Sequence, residues 1–272
     1  MTDDSTSDDL TSDDMTSDGS HDALIGYTGF VGGNLLRQHG FAATFNSTNV
    51  EQIAGRSFDL VVCCGAPAEK WKANAEPQGD LDNIERLTRA LEHVNARKLV
   101  LISTVDVFQN PVDVDEDSPT PTLGLHPYGK NRRRLEQIVA GRFDATIVRL
   151  AGLYGPGLKK NVIHDFLHDH EVHKIDSRGI FQFYDVRRLW SDIEIAMDAG
   201  VPLVHLPTEP VSVADVARDG FGIDFSNEVT ATPARYDVHT RYAELFAGSG
   251  VYVEDKTREL TSIAAFVESQ RR

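Results

Sequence analysis

The chain has 272 residues, 40% of them hydrophobic, which is enough for one large α/β domain or a domain with a small added lobe. Its formal charge of −15 argues against a nucleic-acid partner, since phosphate contacts need a basic face. No apolar run approaches the ~20 residues of a membrane span, so no membrane partner is expected and a cytoplasmic location is.

Residues 1–20 lack the basic cluster and apolar run of a signal peptide. They repeat a pentad instead: Ser5-Thr6-Ser7-Asp8-Asp9, Leu10-Thr11-Ser12-Asp13-Asp14, Met15-Thr16-Ser17-Asp18-Gly19. A stretch this polar and single-signed has nothing to bury, which predicts a disordered acidic tail over 1–20. Eight Asp and no Lys or Arg lie in residues 1–22, and removing those eight charges leaves −7 on the rest. Asp makes up 27 of the 42 acids and Lys only 8 of the 27 bases, the pattern of a protein from a salt-rich cytoplasm.

Ala23-Leu24-Ile25 reads as a buried strand, followed by Gly26, Gly29 and Gly32 at spacing G-x-x-G-x-x-G. Val31, Leu35 and Leu36 then begin a helical apolar face. Strand, glycine turn and helix is the context in which such spacing binds a dinucleotide. The first Gly turns the chain sharply, the second lets backbone approach a pyrophosphate, and the third packs helix on strand. The helix N-terminus offers the anion unpaired amides and a positive dipole end.

Phe41 to Phe45 reads as a second strand ending at Asn46, about 20 residues past Gly26, where an acid commonly holds a dinucleotide's ribose. Here Asn46-Ser47-Thr48-Asn49 stands instead. Phe58 to Cys64 is a third strand, running into Gly65-Ala66-Pro67-Ala68, and the short gap before it predicts an abbreviated adenosine half. Adjacent Cys63 and Cys64 should point to opposite faces as structural thiols. Further on, the spacing predicts a helix over 79–94, a strand over 98–103, a polar loop over 110–126, a helix over 128–139 opened by Pro127, and a strand over 146–150. Past Leu150 come a turn-rich Gly152–Gly157, a short helix over 161–168, a strand over 181–184, a helix over 186–197, a strand over 203–206, and a helix over 213–218 capped by Ser212. Strands alternating with helices predict an α/β fold, a Rossmann-type doubly wound parallel sheet with helices on both faces and right-handed crossovers. The expected division is the tail at 1–20, a dinucleotide-binding core over 21–150, and sheet completion with a small C-terminal substrate lobe over 151–272.

These motifs together resemble the extended short-chain dehydrogenases/reductases, the NAD-dependent epimerase/dehydratase superfamily, over roughly residues 22–220. The resemblance rests on the glycine turn, Phe58-Asp59-Leu60-Val61-Val62 before Gly65-Ala66, Ser103-Thr104 near Val107-Phe108, Tyr128-Gly129-Lys130-Asn131-Arg132, and Arg149-Leu150 with Leu153-Tyr154-Gly155-Pro156-Gly157. It implies NAD or NADP as cofactor and a sugar or nucleotide-sugar-like small molecule as substrate, and leaves homodimer formation open. It assigns Tyr128 as the acid/base at the substrate oxygen and Thr104 as the hydroxyl bonding that oxygen. Arg132 stands where the family has the Lys that binds ribose and lowers the Tyr pKa. A phenol of pKa about 10 needs such a cation to work near neutral pH, and Arg supplies one without a shuttled proton. The expected cofactor contacts are Gly26, Thr28, Gly29, Phe30, Val31, Gly32, Asn46, Gly65, Ala66, Tyr128 and Arg132.

His164 and His168 are four apart and can share a helix face, as zinc ligands do, but no Glu follows His164. His164, His168, His170 and His173 therefore read as a solvated stretch, and no metal ligand is assigned. Trp71 and Lys72 fall in a loop overhanging the cofactor, Trp190 reads as core, and Lys159-Lys160 and Arg187-Arg188 read as surface charge. Two functional readings follow. One is an NAD(P)-dependent oxidoreductase or sugar epimerase using Tyr128 and Thr104. The other is a non-catalytic NAD(P)-binding sensor, which Arg132 and the short adenosine half favour.

Overall fold

The computed structural model describes residues 21–271, so the acidic tail expected over 1–20 lies outside the described residues. In chain order the elements are β1 (Asp22–Ile25), α1 (Phe30–Gln38), β2 (Ala43–Phe45), β3 (Ser57–Cys63), α2 (Lys70–Ala75), α3 (Pro77–Glu92), β4 (Asn95–Thr104), β5 (Val112–Val114), α4 (Pro127–Arg142) and β6 (Ala145–Leu150). They continue with β7 (Gly152–Tyr154), α5 (Val162–His168), β8 (Ile180–Phe181), β9 (Phe183–Asp185), α6 (Leu189–Asp198), β10 (Leu203–His205), β11 (Val211–Ser212), α7 (Val213–Asp215), β12 (Asp237–Val238) and α8 (Lys256–Gln270).

Six parallel strands form the central sheet in the order β10-β6-β4-β3-β1-β2. Alternation along each strand builds two cores. Ala23, Ile25, Val61, Cys63, Leu99 and Leu101 face Ile84, Leu87 and Leu91 of α3 and Leu135 and Val139 of α4. Leu24, Leu60, Val62, Val100 and Val148 face Leu35 of α1 and Leu189, Trp190 and Ile193 of α6. A period of two in the strands and 3.6 in the helices allows one sheet to be covered on both sides, each fully buried aliphatic chain contributing about 1.5–3 kcal/mol. Cys63 and Cys64 split between the two cores, as strand neighbours must.

The sheet departs from a full dinucleotide fold at one edge. β2 is the last strand at that edge, and a single helical turn, Val50–Ile53, joins it to β3, so among the described residues no further strand and helix lie beyond β2. A third core lies in the C-terminal part, where Leu260, Ile263, Phe266 and Val267 of α8 pack on Tyr154, Ile163, Phe183 and Phe221. Several elements differ from the sequence reading: β5 lies within the expected polar loop, β7 within the turn-rich Gly152–Gly157, and β12 beyond Arg218. The loop expected at Trp71 and Lys72 is the short helix α2, and α8 lies beyond Arg218, where no element was expected.

Candidate functional site

β1 and β3 are neighbours whose connections leave in opposite directions, and the crevice at their carboxyl ends is where this topology places a ligand. The glycines define it. Gly26 has φ +91°, and a Cβ there would lie 2.5 Å from the Cys64 carbonyl oxygen at the end of β3. A Cβ on Gly32 would lie 2.2 Å from the Gly26 carbonyl oxygen, so only Gly lets α1 pack this close. Gly29 is different: its Cβ would meet only the Gly26 oxygen, at 3.3 Å, leaving that face of the turn open. Turn, open face and close packing are the three properties a pyrophosphate cradle requires. The first amides of α1, at Phe30 and Val31, have no partner within the helix. Thr28 lies in the same turn, and Gly65-Ala66 borders it from β3.

Asn46 follows β2, but its side chain is committed locally. Its oxygen accepts from the Thr48 backbone N–H and hydroxyl at 2.8 and 2.7 Å, and its amide donates to the Tyr27 hydroxyl at 3.2 Å.

The second half of the site forms where α4 meets the end of β4. His126 caps α4, its Nδ1 accepting the Gly129 N–H at 3.0 Å, which places the ring proton on Nε2 in the neutral imidazole. Burial and then the Lys70 charge push the His126 pKa down, against Asp106. A Cβ on Gly129 would lie 2.3 Å from the Asp106 carbonyl oxygen, so this Gly allows α4 to close on the turn after Thr104. That approach buries Tyr128 beside Thr104. Thr104 Oγ1 accepts the Asp106 N–H at 3.1 Å and keeps its own proton to donate. Neighbouring Ser103 bonds Glu136 at 2.6 Å, in a buried network with Arg149, and so takes no part in the crevice.

Arg132 stacks over the Tyr128 ring, its guanidinium carbon 4.2 Å from the ring centroid. It is buried, and it is held. Nη1 and Nη2 donate to the two Asp80 carboxylate oxygens at 2.7 and 3.0 Å, and Nη2 also donates to the Pro67 carbonyl. Asn131 adds a bond to Asp80 at 2.8 Å. The net effect on Tyr128 reverses the sequence expectation. Burial raises its pKa above the usual value, and the Arg132 charge with hydrogen bonds from Arg132 and Thr104 only partly offsets this. Lys130, two residues on, is exposed.

Four side chains that the sequence reading missed complete the surroundings: Asp80, Lys70, Asp106 and Tyr236. Lys70 of α2 donates to Asp106 at 2.7 Å and to the Tyr236 hydroxyl at 3.2 Å, and Tyr236 donates to Asp106 at 2.9 Å. Burial lowers the Lys70 pKa, but Asp106 and Tyr236 outweigh it and hold the ammonium above its ordinary value. Asp106 was detectable as the acid two places after Thr104, whereas nothing in the sequence links Lys70 to residue 236. Lys160 reaches the Ala68 carbonyl. Arg187 stays exposed and pairs with Asp185, whereas Arg188 is turned inward to Asp192 and Glu254. The His164 and His168 rings lie 4.4 Å apart on α5.

Fold and crevice together define a Rossmann-type dinucleotide-binding protein. A sequence model of the NAD dependent epimerase/dehydratase family matches residues 39–194, more than half of the chain, and the chain belongs to that family. The match begins past the glycine turn. None of the curated proteins matches it by sequence. Among solved structures, the UDP-N-acetylglucosamine 4-epimerase of Methanobrevibacter ruminantium, in complex with UDP-N-acetylmuramic acid, is 14% identical with a TM-score of 0.73, over 92% of this chain and 97% of that one. MoeE5 in complex with UDP-glucose and NAD is 17% identical with a TM-score of 0.70, over 93% and 99%. RMD from Pseudomonas aeruginosa, complexed with NADPH, is 17% identical with a TM-score of 0.68, over 92% and 100%. At these identities the likeness is one of fold. Among the described residues no helix is long and apolar enough to cross a membrane.

Proposed function

We propose that the chain is an NAD(P)-dependent oxidoreductase of the extended short-chain dehydrogenase type acting on a sugar or nucleotide-sugar-like substrate, with Tyr128 as proton donor. The observation that carries this is the buried phenol between the Thr104 hydroxyl and the Arg132 guanidinium, at the mouth of a crevice with an open glycine cradle. NAD or NADP would lie along Gly26, Thr28, Gly29, Phe30, Val31 and Gly32, between Asn46 and Gly65-Ala66. Bound there, it supplies the group that gives or takes hydride.

The raised pKa keeps Tyr128 protonated near neutral pH, so the direction it favours is reduction. As a substrate carbonyl becomes an alcohol, its oxygen takes the phenolic proton while the Thr104 hydroxyl donates a second hydrogen bond to it. Arg132 stabilises the phenolate that remains. Fixed donors aimed at developing charge are worth more in a dry site than in water.

A specific observation favours the sensor reading as runner-up. Arg132 is bound to Asp80 and Pro67, so its fork is largely used before any ribose arrives. The test is a fluorescence titration of the purified chain with NADH and NADPH, followed by turnover on a panel of nucleotide sugars. Tyr128→Phe should leave cofactor affinity in place and cut turnover by roughly 10²–10⁴-fold. Undiminished turnover in that variant removes Tyr128 from the chemistry. Cofactor binding with no turnover by the wild type hands the site to the sensor reading.

A further inference from the structure

Outside the crevice, the fold gathers a mixed nitrogen and oxygen donor set that sequence spacing did not suggest. Asp237 and His239 alternate on one face of the segment begun by β12, and Asp113 comes from β5, its parallel neighbour. The ladder pairs Asp237 with Val112 and Val238 with Val114, so Asp113 is the extra residue of a bulge, and bulges re-aim side chains. His239 Nε2 lies 3.3 Å from Asp237 Oδ1 and 3.9 Å from Asp113 Oδ1, and all three donor atoms lie within 4.8 Å of one another. The edge of a tetrahedron with zinc–ligand bonds of 2.0–2.2 Å is about 3.4 Å, so small side-chain rotations bring the three onto one ion. Tyr252 donates to Asp237 Oδ1 at 2.7 Å, the outer-shell bond that orients a ligating carboxylate. The backbone is already fixed: Asp237 N–H donates to the Pro111 carbonyl at 2.8 Å and His239 N–H to the Val114 carbonyl at 2.7 Å.

We propose that Asp113, Asp237 and His239 form a binding site for one divalent transition-metal ion, zinc in kind, with water completing the shell. One imidazole and two carboxylates suit such an ion better than magnesium, which prefers all-oxygen octahedra and keeps its water. The site would staple the segment after β4 to the C-terminal part. Asp237 directly follows Tyr236, whose hydroxyl bonds Asp106 beside Thr104, so the ion would steady the Tyr236 contact from outside the crevice.

The experiment is calorimetric titration of ZnCl2 into the full chain after treatment with a chelator, alongside MgCl2. One Zn²⁺ per chain is expected, with a higher melting temperature and no comparable Mg²⁺ response. Asp113→Asn alters a side chain that is 79% exposed, so the variant folds, and it should weaken zinc tenfold or more. His239→Gln should weaken it at least as much. His168→Gln, in the histidine-rich α5, should change nothing. Absent zinc binding, affinity untouched by Asp113→Asn and His239→Gln, affinity lost through His168→Gln, or equal affinity for Mg²⁺ overturns the proposal. None of these readouts depends on cofactor or turnover.

Discussion

Arg132 keeps its charge in the core because Asp80 takes both nitrogens of its fork, and the two side chains are 3% and 4% exposed. Removing one member of such a pair strands the other, at a cost of about 3–5 kcal/mol. Asp80→Asn preserves shape and should lower stability by about that amount in a urea melt. It should also move Tyr128: with Asp80 neutral, the Arg132 charge acts unopposed, so the phenol pKa falls and any pH–rate profile shifts to lower pH. A second buried group behaves oppositely. Glu259 is buried and accepts the Phe183 N–H at 2.8 Å through Oε1, with the Thr208 hydroxyl beside it. Burial pushes its pKa well above the usual carboxylate value. Its contribution to stability is whole below the unfolded pKa and is lost as pH rises toward the folded one, by about 1.4 kcal/mol per unit. Glu259→Gln should therefore flatten that slope and raise the melting temperature at pH 7–8 while changing little near pH 4, which melts across the pH range will check.

Helix α4 shows how one element positions the site. Gly129 and Gly141 both lie in it, and alanine gains about 1 kcal/mol over glycine in a helix interior. At Gly141 nothing stands within 4 Å of a new Cβ, so Gly141→Ala should stabilise by a fraction of that amount. At Gly129 the Cβ would meet the Asp106 carbonyl oxygen at 2.3 Å, and backbone cannot step aside as a side chain would. Overpacking costs about 1–3 kcal/mol, more than the helical gain, so Gly129→Ala should destabilise and separate Tyr128 from Thr104. Thermal melts of the pair decide it, and equal shifts of one sign would disprove the argument. The same helix marks what was legible in the sequence. Its start at Pro127, the glycine turn and the alternating strands follow from local spacing, so they were readable. α8 carries Leu260, Ile263, Phe266 and Val267 at helical spacing, so it too has a local signal in the sequence. The Arg132–Asp80 and Tyr236–Asp106 contacts span 52 and 130 residues and carry no local signal. Asp80 in the first turn of α3 reads simply as an acid favoured by the helix dipole.

At the scale of the whole molecule, two salt effects oppose each other. Exposed ion pairs such as Arg178–Glu228 and Arg241–Asp117 hold the surface together, and added salt screens them. Each is worth about 0–1 kcal/mol, so the loss is small. The formal charge of −15 is a repulsion spread over the chain, and salt screens that too. The Debye length falls from about 8 Å at 0.15 M to about 3 Å at 1 M, which removes most of the repulsion between surface carboxylates. Buried Arg132–Asp80 and Arg149–Glu136 are screened far less, and the first keeps its hold on Tyr128. The repulsive term is the larger, and we expect the melting temperature to rise from low to molar KCl. Seven Asp of residues 1–20 contribute nearly half of the net charge. A chain starting at His21 should therefore begin with a higher melting temperature in low salt and gain less from KCl than the full chain. If both chains respond alike, the tail plays no part in the effect, and if the full chain melts at the same or a lower temperature in molar KCl, the link between acidity and a salt-rich cytoplasm is wrong.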